Sequence, residues 1–391
     1  MRRAGVLLVV LSAPIWLPWL LAVPAGEGAP AAVSALRPLP GPPAVPLVGP
    51  STTTTSHTSR PRPVMGLAPP SRTRTRPNAT RTGAPITPLL ALPPLRPRPA
   101  RGAIDADMPD PDVVRVDGTW WAYATGSGFL HLQVRASADL ASWSTAVDAL
   151  PRLPAWASPG VAWGPAFLAV GGEYRGEYRL YYSARDAAFG RECLSVATAS
   201  TPGGPFVDTS AVPLTCQASS GGSIDPQPFV ALDGTPYLLW KSEDNALGAA
   251  SRIGVQRLTP DGLALVGPRP RLLAATQPWQ GGVVEGPVMV TAGGRYYLFY
   301  GANHWNAAAA GIGYAVCTSP LGPCTNATLS GPWLGSAPGA WGPSGPDVFS
   351  GPDGRAEIAY HAWNGPPGRP QSARALWVMP LTFADGVPVI G

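Results

Sequence analysis

Charge is what this sequence has least of: only 13% of its 391 residues are Asp, Glu, Lys or Arg. Before residue 104 it has no phenylalanine, no tyrosine and only two of its 14 tryptophans, Trp16 and Trp19. A stretch without aromatics cannot build a packed core of its own. Acids are almost missing there too. Residues 26–103 carry 10 arginines against the single acid Glu27, a local net charge of +9, whereas residues 104–391 hold 16 basic and 22 acidic residues, a net of −6. The chain-wide +5 therefore describes neither part. A nucleic-acid binder is disfavoured because the foldable part is acidic. Uninterrupted helix is scarce as well, since 50 prolines and 46 glycines break it, which argues against a coiled coil or helical bundle. There are only four cysteines, with no Cys-x-x-Cys pair and no histidine near them, so a zinc site is a poor reading.

What the N-terminal part does have is an order. Arg2 and Arg3 precede the apolar run Val6–Val23, and small residues follow, as in a secretory signal over residues 1–25. The competing reading is an uncleaved anchor, although Pro14 and Pro18 interrupt the run. Residues 26–103 contain 18 prolines and alternating Arg/Thr, and read as a disordered stalk. It is either a solvated spacer or, through its arginines, a dock to an anionic cell envelope. The chain is expected to be exported, and monomeric.

The remainder repeats. Asp110-Pro111, Gly164-Pro165, Asp225-Pro226, Gly286-Pro287 and Gly345-Pro346 each start an apolar stretch, followed by a Gly-containing turn and an aromatic-rich strand. Alternating β-branched and aromatic residues around Asp117-Gly118 and Gly293-Gly294 are hairpin signals. A unit of about 60 residues with about four strands cannot bury its own faces, so units must stack. The expected fold of residues 104–391 is all-β, a five-bladed β-propeller, in preference to a β-sandwich or parallel β-helix. Cys193 with Cys216, and Cys317 with Cys324, are the preferred disulfides, because each pair encloses one outer hairpin.

In a propeller the first strand of each blade lines the central channel, so residues at its start converge at one rim. Asp110, Asp225 and Glu285 stand at or beside that start in three blades. Any one alone reads as a turn or cap residue. Three together repel and are partly desolvated, which suits glycoside hydrolysis: one carboxylate as base, one protonated carboxyl as acid.

Around these residues the chain resembles glycoside hydrolase family 43. The motifs are Pro109-Asp110-Pro111-Asp112-Val113-Val114-Arg115, Ser137–Trp143, Trp163-Gly164-Pro165, Ser223-Ile224-Asp225-Pro226, Val284-Glu285-Gly286-Pro287 and Tyr360-His361-Ala362-Trp363. The resemblance implies that Asp110 is the general base, Glu285 the general acid and Asp225 the residue that orients Glu285 and keeps its pKa high. The implied reaction is inverting hydrolysis of α-L-arabinosyl or β-D-xylosyl linkages in arabinan- or arabinoxylan-type polysaccharides. Trp163 is expected to stack on a sugar, and His304 and Trp305 to contact it from a rim loop. His361 is expected near substrate or beside a central-channel cation such as calcium; no cofactor is required. Blade five departs from the family: Gly342-Pro343-Ser344-Gly345-Pro346-Asp347 lacks the histidine often found there. A catalytically silent carbohydrate-binding propeller is the alternative. A fructan- or sucrose-cleaving propeller fits less well, since its Trp-Met-Asn-Asp-Pro and Arg-Asp-Pro elements are missing. No C-terminal β-sandwich is expected after the last strand, which would favour a groove open to polymeric arabinan.

Overall fold

A computed structural model describes residues 102–171 and 176–391. The expected signal, and the expected stalk up to residue 101, lie outside the described residues. The first described strand is β1 (Gly102–Ile104). Blade one is β2 (Asp112–Val116), β3 (Thr119–Thr125), β4 (Leu132–Ser137) and β5 (Val147–Asp148). Blade two is β6 (Trp163–Ala169), β7 (Tyr178–Arg185) and β8 (Glu192–Ala199). Blade three is β9 (Ser223–Val230), β10 (Pro236–Ser242) and β11 (Arg252–Leu258), with β12 (Leu265–Val266) and β13 (Arg271–Ala274) both paired to β11. Blade four is β14 (Val284–Ala292), β15 (Arg295–Ala302), β16 (Gly311–Cys317) and β17 (Cys324–Asn326). Blade five is β18 (Trp341–Ser350), β19 (Ala356–Trp363) and β20 (Arg374–Ala384), with β21 (Val387–Ile390) on β20.

All the pairings within these sheets are antiparallel, and the turns follow from the local sequence. Asp117 and Gly118 join β2 to β3 with φ of 48° and 83°, and Gly293 and Gly294 join β14 to β15 with 54° and 74°. Positive φ at both central residues is the turn whose twist matches that of a two-residue hairpin. The inner strands β2, β6, β9, β14 and β18 each touch the next and close a ring. This is the five-bladed propeller. One closing element was not visible as a repeat: β1 pairs with β20, Ile104 facing Leu376, and so completes blade five.

The blades are held by apolar side chains between neighbouring sheets. Tyr123 stacks on Phe167 at 5.4 Å, with Phe206 edge-on at 6.3 Å, between blades one and two. Aromatic pairs of this kind add about 0.5–1.5 kcal/mol beyond their buried area. Truncating Phe167 to alanine would leave a cavity costing about 3–5 kcal/mol. Tyr297, Phe299, Ile358 and Tyr360 seal blade four against blade five. Trp120 and Trp240 are buried in the same kind of interface. Both expected disulfides are present, Cys193–Cys216 and Cys317–Cys324. The first ties β8 to a segment that pairs with it only at isolated bridges, Leu194 with Thr215 and Thr198 with Val207, in place of a fourth strand.

Candidate active site

The five X-Pro pairs meet at one mouth of the channel and line a narrow axial space of about 30 Å³. The residue before each proline is left-handed, with φ of 54° at Asp110, 53° at Gly164, 56° at Asp225, 49° at Gly286 and 55° at Gly345. Glycine adopts that conformation freely, and other residues are strained by roughly 1–2 kcal/mol. The ring is also tight. A Cβ on Gly345 would fall 2.9 Å from His361 Nδ1 and 3.1 Å from the Asp110 Cα. Two of the five positions nevertheless carry aspartate, so strain is accepted where a carboxyl projects into the mouth.

Asp110 and Asp225 occupy the ring position itself, whereas Glu285 precedes it by one residue. Trp163 and Ile224 hold that preceding position in blades two and three. Irregular pairing at the X-Pro step, between Trp163 and Ala166, Ile224 and Gln227, and Glu285 and Val288, re-aims these side chains. Asp110, Trp163, Ile224, Asp225 and Glu285 consequently line one cavity of about 450 Å³. His304 and Trp305 line it from the loop after β15.

Each acid is held differently. The Thr125 hydroxyl donates to Asp110 Oδ2 at 2.6 Å and itself accepts the Gly164 N–H at 2.9 Å. Asp225 Oδ2 accepts the Gly286 N–H at 2.8 Å. Glu285 Oε2 lies 3.0 Å from Lys241 Nζ. Burial, reinforced by the Glu285 and Asp110 charges, pushes the Asp225 carboxyl up to about 8 against the opposing pull of Lys241. Asp225 therefore retains its proton at neutral pH, beside Glu285. That is the supply an acid-catalysed step needs.

Several lining residues had not been expected: Thr125, Lys241, Glu243, Asn245, Val283 and Arg374. Lys241 is the single lysine in the sequence, a signal that composition alone could have raised. Arg374 lies over the Trp305 ring at 4.8 Å, and Trp305 stacks on Trp363 at 6.0 Å. Trp305 remains 48% exposed, a sugar-sized apolar face at the rim.

His361 is set apart from the cavity. It is buried at 1% exposure, and its Nδ1 accepts the Asp110 backbone N–H at 2.9 Å. Burial lowers its pKa to about 4, so the ring is neutral and carries its proton on Nε2. His361 does not line the cavity itself and acts on it through the backbone of Asp110. Its Nδ1 is taken by that bond, its buried Nε2 has no hydrogen-bond partner, and no group of three or more His, Cys, Asp or Glu suited to a metal occurs among the described residues.

Three carboxyls around one cavity, presented by strand starts of a five-bladed ring, match a known family. A family model for glycosyl hydrolases family 43 matches residues 101–388. The chain belongs to glycosyl hydrolase family 43. It is 27% identical over 228 residues to the β-D-galactofuranosidase xynD of Aspergillus niger, covering 55% of this chain and 62% of that protein. It is 26% identical over 207 residues to the extracellular endo-α-(1→5)-L-arabinanase 1 of Bacillus subtilis, covering 50% and 60%. The chain thus spans about six-tenths of the length of these curated relatives. Among solved structures, a thermostable family-43 glycoside hydrolase superposes with a TM-score of 0.65 at 28% identity, over 75% of this chain and 95% of that one. An endo-1,4-β-xylanase from Bacteroides thetaiotaomicron gives 0.64 at 27% identity, over 75% and 96%.

Proposed function

We propose that this family-43 member is an exported, inverting glycoside hydrolase acting on pentosyl linkages, α-L-arabinosyl or β-D-xylosyl, of plant polysaccharides. The observation that carries this reading is the convergence of Asp110, Asp225 and Glu285 on one cavity from three different blades. In this mechanism Asp110, oriented by Thr125, removes a proton from a water beneath the anomeric carbon. Glu285 protonates the departing glycosidic oxygen on the other side. Asp225 shares the proton with Glu285 and holds blade four through the Gly286 N–H. Inversion calls for base and acid about 6.5–9.5 Å apart, leaving room for the water. Trp163 and Trp305 supply apolar faces for sugar rings on the cavity walls. The relatives named as an endo-α-(1→5)-L-arabinanase and a putative β-xylosidase support a pentosyl linkage at the cleaved position. Export is supported by the two disulfides, which persist in oxidising compartments.

The test is turnover of linear arabinan, arabinoxylan, aryl pentosides and aryl β-D-galactofuranoside by wild type and Glu285→Ala. Wild type should release sugar, from at least one pentosyl substrate, with the opposite anomeric configuration. Glu285→Ala should lose about 10²–10⁴-fold on substrates with poor leaving groups. Polysaccharide binding without turnover on any substrate would instead identify a silent binding propeller. Oligomeric products would mean internal cleavage, and monosaccharide alone would mean cleavage from chain ends.

A further inference from the structure

Lys241 is one lysine among 28 basic residues, the others all being arginine. It stands on β10 next to the mouth of the channel, with its side chain only 2% exposed. Burying an ammonium is unfavourable unless it is closely paired. The pairing here is double: Nζ lies 3.0 Å from Glu285 Oε2 and 3.3 Å from Glu243 Oε1. Burial alone would weaken the ammonium, but Glu285, Asp225 and Glu243 together keep it charged. An arginine fork is planar and wide, whereas an ammonium is a compact point charge with three donors that fits between two carboxylates. A chain that otherwise uses arginine throughout has placed its one compact cation against the proposed acid.

We propose that Lys241 is the charge partner of Glu285 in turnover: it fixes one carboxylate oxygen and stabilises the anion left when Glu285 gives its proton to the leaving oxygen. The proposal rests on the reading of Glu285 as the acid. In the step, the proton moves from the Glu285 carboxyl to the glycosidic oxygen, the C–O bond breaks, and Glu285 becomes a carboxylate beside the ammonium. To act as the acid Glu285 must carry the proton into the step; afterwards the ammonium faces a full carboxylate charge. The interaction therefore strengthens along the reaction, the condition for an effect on rate and not only on folding. Glu243 keeps Lys241 in place through both states. The charged groups around it are Glu285 from β14, Glu243 from the segment after β10, Asp225 from β9 and Asp110 from the start of blade one, with His304 and Arg374 across the cavity and Glu192 beyond Glu243.

The experiment compares wild type, Lys241→Met, Lys241→Gln and Lys241→Arg in kcat/KM against pH, with aryl glycosides of poor and good leaving groups. Removing a cation makes the neighbouring carboxyl pair hold its proton more tightly. Both neutral variants should therefore move the alkaline limb up by about one pH unit or more. They should also lose at least tenfold more rate on poor leaving groups than on good ones, which need little protonation. Lys241→Arg should keep the wild-type limb. A uniform loss across leaving groups with an unmoved limb, with or without a fall in Tm, overturns the proposal and leaves Lys241 a packing residue. If Lys241→Met fails to fold, Lys241→Gln, which retains hydrogen-bond donors, carries the same comparison. Glu285→Gln separates the two ideas. Undiminished activity there removes the acid assignment itself, whereas a large loss there with no limb shift at Lys241 removes only the charge partner.

Discussion

Asp110 and Asp112 are two residues apart in the chain, yet they belong to two opposite ways of burying negative charge. Asp110 keeps 30% of its side chain exposed and joins Asp225, Glu285 and Glu243 around a cavity containing an ammonium. Asp112 and Asp347 are sealed deeper in the channel at 3% and 4% exposure. Asp112 accepts the Phe167 N–H at 3.0 Å and the Gln227 side-chain N–H at 3.3 Å, and Asp347 accepts the Val113 N–H at 2.8 Å. Neither has an ion pair with Lys or Arg among the described residues. Burial, then Asp347, raises the Asp112 pKa well above its ordinary value, and burial brings Asp347 to about 7. The upper group is balanced by a cation at a partly exposed mouth. The lower pair is balanced by a proton and by backbone donors from neighbouring blades. The proposed chemistry belongs to the first arrangement and bracing of the ring to the second.

The sharpest way to break this contrast is to neutralise one aspartate at a time. Asp110→Asn removes the proposed base and should lower kcat by about 10²–10⁴-fold with Tm nearly unchanged. Asp112→Asn keeps an acceptor for the Phe167 N–H and should leave kcat within about tenfold of wild type. An equal collapse of kcat in both variants, at equal Tm, would show that the lower pair takes part in the chemistry.

A second measurement sharpens the upper half of the comparison. Asp225 is raised to about 8 by burial and then by Glu285 and Asp110, so its proton is lost as pH rises through that value. Activity on substrates with poor leaving groups should accordingly fall above about pH 8, and the fall should move in Asp225→Asn, where the pair becomes a lone glutamate. An alkaline limb identical in Asp225→Asn and wild type would detach Asp225 from the proton supply.

The same two aspartates show what could be read without coordinates. The five X-Pro steps recur in sequence because each sets a left-handed residue in or just before an inner strand, and that spacing is enough to locate the ring and two of its acids. Glu285 was found although it stands one place earlier, because its neighbours repeat. Asp112 cannot be told from a turn residue in the sequence, since nothing in Asp-Pro-Asp shows where the strand begins and which side chain turns inward. Lys241 follows Leu238-Leu239-Trp240 in an apolar strand, and alternation alone does not say which face meets the channel. Arg374 reaches the cavity only because β20 returns from a long loop to lie beside Trp305. β1 is three residues long, too short to carry a pattern.

The smallest effect concerns the lower pair and tests the idea that a proton is its counter-charge. A carboxyl whose pKa is about 7 in the folded chain and about 3.9 unfolded binds its proton more tightly when folded. Its stabilising contribution is complete below about pH 4 and is lost as pH rises through about 7. Asp225 and Glu192, raised to about 8 and about 7 mainly by burial, act in the same direction, so the wild-type slope alone does not isolate the pair. The difference from Asp347→Asn does. The amide cannot ionise and still accepts the Val113 N–H, so the variant should match wild type at about pH 4 and melt a few degrees higher at pH 8.5. Each 1 kcal/mol corresponds to about 2–4 °C in a domain somewhat smaller than this one. Calorimetry at the two pH values reads that difference directly. A variant that melts lower at both would mean that Asp347 remains ionised in the fold, held by its backbone donors, and the lower pair would then be balanced in a way closer to the upper group.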